Sequence, residues 1–553
     1  MIGVIAKESD FEAVDEFFQL FKTPWEFYED GKEYDVVIIN KGKKIEKINA
    51  KLLLIFGHEC MEFDCSKNIL LDANSTIRLL RIAEISLPIY TQISTFKNVS
   101  HDNVFLVGDS EVIGLKIQDN SQKVLRIGYN LFEEVSYLLS KGQPIENALI
   151  PTLEIHIALL KKWILDTGIP LIEIPPIPAG YDFIICLTHD VDFVNVRNHL
   201  FDHSMWGFIY RGLFGPWKKI VKGESSNSHL LQNLKAVLSL PLVYLGAIKD
   251  FWFQFDRYLE IEKNLKSTYF FIPFKNKIGE RVFCRNAVHR ASKYDVRDLE
   301  ELLKNLINEG NEVGVHGIDA WHNADSGYQE KKRISEIMGE SNLGIRMHWL
   351  LHDNQTFQTL EKAGYHYDST FGYNETAGYR GGTTQVFRPI GVKNLLELPL
   401  HIQDTTLFYT SRMGLSEKKA MNLCEKLISD ASFYGGVLTI NWHQRSLAPE
   451  RLWGDFYLRL LQKLQTKRPW FASAGQAVEW FRKRRAVFFD EVQFTENKVC
   501  LSLRSDENDM QPPLLVRIHR PLIDKSGNND LSIPMWNSFD VSWSGEREIE
   551  ILI

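Results

Sequence analysis

The chain has 553 residues, more than one hydrophobic core usually supports, so two or three domains are expected. Apolar residues at 44% and aromatics at 12% are enough for packed cores and exclude a disordered chain. A net charge of -7, with both signs mixed along the sequence, argues against nucleic acid as a main partner.

Residues 1–168 alternate short apolar strands (2–6, 35–39, 52–56 and 103–107) with amphipathic helices, the pattern of a small α/β domain. Helices are expected over 131–141, stopping at Gly142, and over 152–166, with Pro151 in front and Gly168 behind. No catalytic cluster stands out in this domain, and it is assigned no chemistry. Residues 169–181 carry four prolines and read as a stiff connector.

Residues 182–487 form the largest predicted domain. A long insertion at about 193–260 is rich in Trp, Phe and Leu, with Arg211, Lys218, Lys219 and Lys222 near Trp206, Phe208, Phe214 and Trp217. It reads as a helical cap packed on the domain, with a peripheral, lipid-facing helix as the alternative. Further strands are expected at 267–273, 312–315, 344–348, 395–400 and 436–442, and helices at 298–308, 329–338, 355–363, 416–428, 450–465 and 475–482. Such a βα repeat implies parallel strands in an open sheet or a barrel, with ligands at the strands' C-terminal ends. Residues 488–553 read as a small β appendage with strand-like runs at 499–503, 514–519 and 548–553.

The cysteines at 60, 65, 186, 284, 424 and 500 show no C-x-x-C spacing and read as reduced thiols of a cytoplasmic protein. Cys60 and Cys65, near His58, hint at a metal but are expected to be buried structural thiols. The first residues lack a signal-peptide layout, and the apolar run 236–248, interrupted by Pro241, is too short to span a bilayer.

The chemistry concentrates where strands end. The apolar run 183–192 closes on His189, Asp190 and Asp192, and strand alternation turns Asp190 and Asp192 to one side. Two carboxylates that close repel unless a cation sits between them. Polar groups recur after the other strands: His316 to His322 after 312–315, His348 and Trp349 after 344–346, and His443 after 437–442. Imidazole and carboxylate together are the ligand set for Zn2+ or a similar divalent ion.

In that order the motifs of about 181–485 resemble the polysaccharide deacetylase family of chitin deacetylase-like carbohydrate esterases. The resemblance implies a distorted (β/α) barrel and a divalent metal, Zn2+ first with Co2+ or Ni2+ as alternatives, in an enzyme that removes acetyl groups from sugars. The family's T-F-D-D-G motif is similar to Thr188 to Asp192, which implies Asp190 as catalytic base and Asp192 as metal ligand, with the two roles open to exchange. Its H-[ST]-x-x-H motif is matched by His316 with His322 as companion, but six residues on instead of four. If both ligate one ion, Gly317 must lie in a loop; His189 and His348 are the reserves. Its R-x-P-[YW] motif resembles Arg346 to Trp349, with His348 in place of proline and Arg346 pairing with Asp190. The strand ending in His443 implies the general acid, and activity bell-shaped in pH. A D-x-x-D-W motif is absent; Glu397 or Asp404 stands where it would orient His443.

Trp321, Trp349, Tyr373, Arg380 and Trp442 lie beside these motifs and are candidate sugar-binding walls or barrel core. The expected function is metal-dependent N-deacetylation of a sugar or glycan precursor, and the aromatic insertion suits a lipid-linked one. The alternatives are C–N hydrolysis of a non-sugar amide and a metal-free glycan-binding barrel. The oligomeric state is not legible.

Overall fold

The computed structural model describes residues 1–41, 48–73, 78–82, 85–119, 122–221, 227–281, 287–495, 498–506, 511–520 and 537–552. Lys222 and Cys284 lie outside the described residues, as do the side chains of Lys218 and Lys219. Two compact units divide the chain: Met1–Ala179, Gly381–Thr383 and Trp480–Ile553 make one, and Gly180–Arg380 with Thr384–Glu479 make the other.

In the first unit, Trp25–Phe27, Ile2–Ile5, Tyr34–Ile39, Ala50–Phe56 and Gln122–Ile127 lie side by side and parallel. The Val, Ile and Leu runs at 36–39 and 52–55 are buried, as a covered parallel sheet requires. Antiparallel strands, among them Glu111–Asp119 and Val104–Gly108, extend it into a mixed sheet. Arg126, wholly buried, holds Asp64 through two contacts of 2.9 Å and donates to the carbonyls of Gly57, Glu59 and Ile127. All five N–H donors of that guanidinium are thereby used, which lets a charge sit in the core. Cys60 and Cys65 are not buried as expected; they are exposed thiols with sulfurs 3.7 Å apart.

The proline-rich stretch carries a strand, Leu171–Glu173, paired antiparallel with Leu514–Arg520, which pairs in turn with Asn537–Trp543. Phe488–Phe494, Lys498–Arg504 and Glu548–Leu552 form another three-stranded antiparallel sheet.

The second unit is built on Phe183–Val191, nine residues all buried. The strand order is Leu396–Glu397, Tyr367–Asp368, Gly344–Met347, Glu312–Gly317, Ser267–Phe271, Phe183–Val191, Val437–Asn441, Ile402–Gln403, and every pair is parallel. Only residues 398–401 separate the first of these from the last. One extended stretch thus pairs with Tyr367–Asp368 at one end and Val437–Asn441 at the other, and the sheet closes on itself. This partner exchange is why the strand expected over 395–400 appears as two short pieces. Helices Glu300–Asn308, Ala324–Met338, Thr356–Lys362, Glu417–Tyr434 and Gly454–Gln465 make the returns of a distorted (β/α) barrel.

The insertion forms helices His203–Val221 and Asn227–Tyr244. Met205, Phe208, Ala236, Leu240 and Val243 pack inward against Trp252 and Ala448, so it is a cap. It also has a second apolar face: Trp206, Tyr210, Phe214 and Trp217 on one helix, and Leu231, Leu234, Leu238 and Leu242 on the other with Leu245 just past its end, are exposed. Among the described residues no helix is long and apolar enough to cross a membrane.

Candidate metal centre

Parallel pairing brings the strand ends to one level. Asp190 is opposite Phe270, His316 opposite Arg346, and Thr188 opposite Asn441, all at C-terminal ends. Alternation along Phe183–Val191 does the rest: Thr188, Asp190 and the following Asp192 share one side, and His189 takes the other. His189 lies against Tyr258 and Tyr269, with Nδ1 2.7 Å from the Trp442 carbonyl and Nε2 3.2 Å from Glu262 Oε2. It is a core residue of the barrel wall.

Asp192, His316 and His348 present one ligand atom each, all within 4.8 Å of one another. His316 Nε2 is 3.4 Å and His348 Nε2 3.5 Å from Asp192 Oδ1. That oxygen is buried and has no hydrogen-bond partner. His316 Nδ1 sits 2.9 Å from the Arg346 carbonyl, which only accepts, so Nδ1 carries the proton and Nε2 offers its lone pair. Burial holds His348 well below the ordinary imidazole value, against the pull of Asp192. Burial alone would raise Asp192, but His348, His316 and His443 hold it far below the carboxylate range. One carboxylate and two imidazoles gathered around an orphaned oxygen fit a divalent cation, with the donor types that suit Zn2+.

His322, expected as the second imidazole, is not in this group. Its Nε2 lies 3.4 Å from Asp319 Oδ1. Gly317 ends its strand, and residues 318–323 turn before the helix that Asn323 caps, so the six-residue spacing carries His322 out of the cluster. His348 arrives from the next strand and replaces it. The backbone there is unusual: Trp349 has φ 66° and Leu350 φ 50°, conformations that side chains of this size rarely adopt. Arg290 Nη2 donates to the His348 carbonyl at 3.3 Å, and Asn374 Nδ2 to that of Trp349 at 2.8 Å, which pins the turn.

Asp190 is held by both oxygens: Oδ1 accepts from Arg346 Nη1 at 3.1 Å, and Oδ2 from Asn441 Nδ2 at 2.7 Å. Its Oδ2 is 3.9 Å from His316 Nε2, at the edge of the metal group. Arg346 is fully buried; it also donates to Thr188 Oγ1, the Ser369 carbonyl and Ser369 Oγ, and covers the Phe270 ring at 4.6 Å. Behind it Asp368 and Glu397 stand opposite each other on neighbouring strands; Thr370 Oγ1 donates to Asp368 at 2.5 Å and the Phe371 N–H to Glu397 at 2.9 Å. Burial pushes Asp368 up to about 6, and burial with Asp368 beside it pushes Glu397 well above the usual carboxylate range.

His443 faces the group from the other side, Nε2 3.8 Å from Asp192 Oδ2. Asp404 fixes it, taking Nδ1–H and the backbone N–H at 2.7 Å each, and Ser446 Oγ donates to the same carboxylate. Burial opposes a charge on this ring, but Asp404, Asp192 and Asp190 outweigh it and push its pKa up to about 9. Asp404, one of two expected orienting acids, is in contact; Glu397 is engaged with Asp368.

Of the expected sugar-binding residues only Trp349 lines the cavity over the centre. Trp442 is fully buried, stacked on Phe456 and Tyr457, and is core. Tyr373 is buried, Arg380 donates to the Gly372 carbonyl and covers Phe371, and Trp321 packs on the edge of His322. Asn441 and Ser369 were not anticipated; Asn441 stands one position before Trp442, whereas Ser369 follows the short strand Tyr367–Asp368, which the sequence pattern does not reveal.

Fold and site together define a barrel of parallel βα units with an Asp/His cluster at the strands' C-terminal ends. The sequence matches no family profile and no curated protein. Among solved structures, a protein assigned as a polysaccharide deacetylase from Mycobacterium smegmatis is 17% identical, covering 56% of this chain and 95% of that one, with TM-score 0.32. Puue allantoinase is 14% identical over 56% of this chain and 93% of its own, with TM-score 0.34. A protein assigned as a polysaccharide deacetylase involved in O-antigen biosynthesis, from Bordetella bronchiseptica, is 13% identical over 54% and 89%, with TM-score 0.23. Polysaccharide deacetylases, the family the motifs resemble, thus recur among the matches, but at these scores the likeness carries no weight for function, which rests on the residues of the site.

Proposed function

We propose that the second unit is a metal-dependent hydrolase that removes the acetyl group from an N-acetylated sugar or glycan precursor. The observation that supports this most is the orphaned, buried Asp192 Oδ1 with two imidazole Nε2 atoms at 3.4 and 3.5 Å. Asp192, His316 and His348 would hold the ion, which supplies Lewis-acid polarisation of a carbonyl and acidification of a water.

The chain's own groups divide the proton work. Asp190, oriented by Arg346 and Asn441, accepts the proton of the water that attacks the acetyl carbon. His443, kept protonated by Asp404, delivers a proton to the nitrogen as the C–N bond breaks, so acetate and a sugar amine leave. Arg346 and Asp404 never touch substrate; they position the base and the acid. Acetate release from N-acetylhexosamines, lost in Asp190→Asn with zinc affinity retained, tests the assignment; an unchanged rate would overturn it.

The outer face of the cap supports a lipid-linked substrate. Leu238 is 71% and Trp217 59% exposed, in stripes of helical spacing, and the sequence places Lys218, Lys219 and Lys222 beside Trp217. Aromatic and leucine side chains next to lysines suit an anionic membrane surface. Vesicles of anionic phospholipid should co-sediment with the protein, and Trp206→Ser with Trp217→Ser should abolish this. A concentration-dependent dimer without vesicle binding would assign the face to a second copy instead.

A further inference from the structure

The open side of the metal centre is a cavity of about 200 Å³ that Asp192 and His348 share with Arg211, Tyr409, Arg445 and Arg451. Three guanidiniums converge there, and their neighbours do not satisfy them. Arg445 donates no hydrogen bond among the described residues: its planar face lies over Phe193 at 4.0 Å and Trp252 at 5.5 Å, and Nη2 is 4.0 Å from Asp192 Oδ2. Among the described residues Arg211 has only Glu450 Oε1 at 3.8 Å, beyond hydrogen-bond reach, and its Nε is buried without a partner. Arg451 donates to Tyr409 Oη at 2.7 Å, but its Nε also lacks a partner and lies 3.9 Å from Glu450.

The charges do not balance. Against three arginines stand Glu450, which also accepts from Trp252 Nε1, and Asp192, which the metal would claim. The surplus shows on Tyr409: burial would raise its hydroxyl, yet Arg451, Arg445, His443 and Arg211 bring it down to about 8. Arginines that merely cover apolar surface keep their heads in water. Here the side chains of Arg445 and Arg451 are 15% and 3% exposed, and both residues line the cavity.

We propose that this cavity binds an oxyanion on the substrate, a phosphate or a carboxylate, through Arg211, Arg445 and Arg451. Guanidinium forks match both groups, two N–H to two oxygens. The reach fixes where the charge lies. Arg445 Nη2 stands 4.0 Å from Oδ2 of Asp192, whose other oxygen faces the two imidazoles, so the anionic group belongs to the acetylated sugar itself or to the linkage leaving it, not to a distant unit. The inserted helix bearing Arg211 therefore has two duties, the outer apolar stripe and an inner anion contact. That the rest of the ligand is an N-acetylated sugar rests on the function proposed above.

Isothermal titration of the full chain separates the two claims. The probes are N-acetylglucosamine, N-acetylglucosamine 1-phosphate and glucuronate. At least one charged probe should bind about tenfold or more tightly than the neutral sugar, with the gain shrinking as salt is raised. Arg211→Gln and Arg451→Gln should each remove most of it, and Arg211→Lys, which keeps the charge but not the fork, should recover only part. Whether the phosphate or the glucuronate shows the arginine-dependent gain identifies the oxyanion. His316→Ala, disabling the metal group, should leave the gain in place; its loss there would assign the anion to the ion and overturn the proposal. Equal affinity for neutral and charged probes, or a gain indifferent to Arg211 and Arg451, would overturn it as well. An arginine-dependent gain without acetate release would sustain this site and remove the deacetylase reading.

Discussion

Replacing His348 and His322 in turn by alanine tests which imidazole serves the metal. His348 Nε2 is 3.5 Å from the orphaned Asp192 oxygen, whereas His322 Nε2 is 3.4 Å from Asp319, outside the group. A four-ligand structural zinc site contributes roughly 10–16 kcal/mol, hence about 3 kcal/mol per ligand, or about a hundredfold in Kd. His348 Nδ1 has no partner to raise the ring's basicity, which argues for the lower end of that range. Competition against a chromophoric chelator should show zinc affinity falling about a hundredfold in His348→Ala and by less than about threefold in His322→Ala. Equal losses in the two variants, or an unaffected His348→Ala, would refute the assignment.

Three further outcomes are expected. Asp190→Asn should lower the rate of amide hydrolysis by about 10²- to 10⁴-fold, read from initial rates on an N-acetylhexosamine, without releasing zinc. Glu397 holds its proton in the folded protein more tightly than in the unfolded one, so the stability it contributes is full below the ordinary glutamate value and is lost as pH rises through its raised pKa. Glu397→Gln copies the protonated form and keeps the Phe371 contact, so its melting temperature should gain on the wild type as pH rises above the ordinary glutamate value; a constant difference would contradict the raised pKa of Glu397. Asp64→Ala strands Arg126 in the core and should cost about 3–5 kcal/mol in urea unfolding; a loss below about 1 kcal/mol would show that the pair is not a strong element of the first unit.

The barrel was legible because parallel strands buried on both faces need unbroken apolar runs, and those runs end in polar residues. The same rule located Asp190, Asp192, His316, Arg346 and His443 before any geometry was known. It failed for His322 because residue spacing along a turn does not fix direction: residues 318–323 lead away from the centre, and a ligand comes from the neighbouring strand instead. Trp442 was ambiguous for a related reason, since alternation beside a strand end does not say which face meets solvent. The strand expected over 395–400 shortens to Leu396–Glu397, with Ile402–Gln403 following it, because partner exchange leaves no trace in hydrophobic pattern. Arg211, Arg445 and Arg451 lie in three separate chain segments, and only the closed barrel with its cap brings them to one cavity.

The central claim is that the centre built from Asp192, His316 and His348 hydrolyses an acetamide. Its most direct measurement is acetate released by the full chain from N-acetylated sugars, neutral and anionic, before chelation, after chelation and after zinc is restored. Release should be abolished by chelation and recovered when zinc is restored. A protein carrying stoichiometric zinc at this centre that frees no acetate from any of them would contradict it.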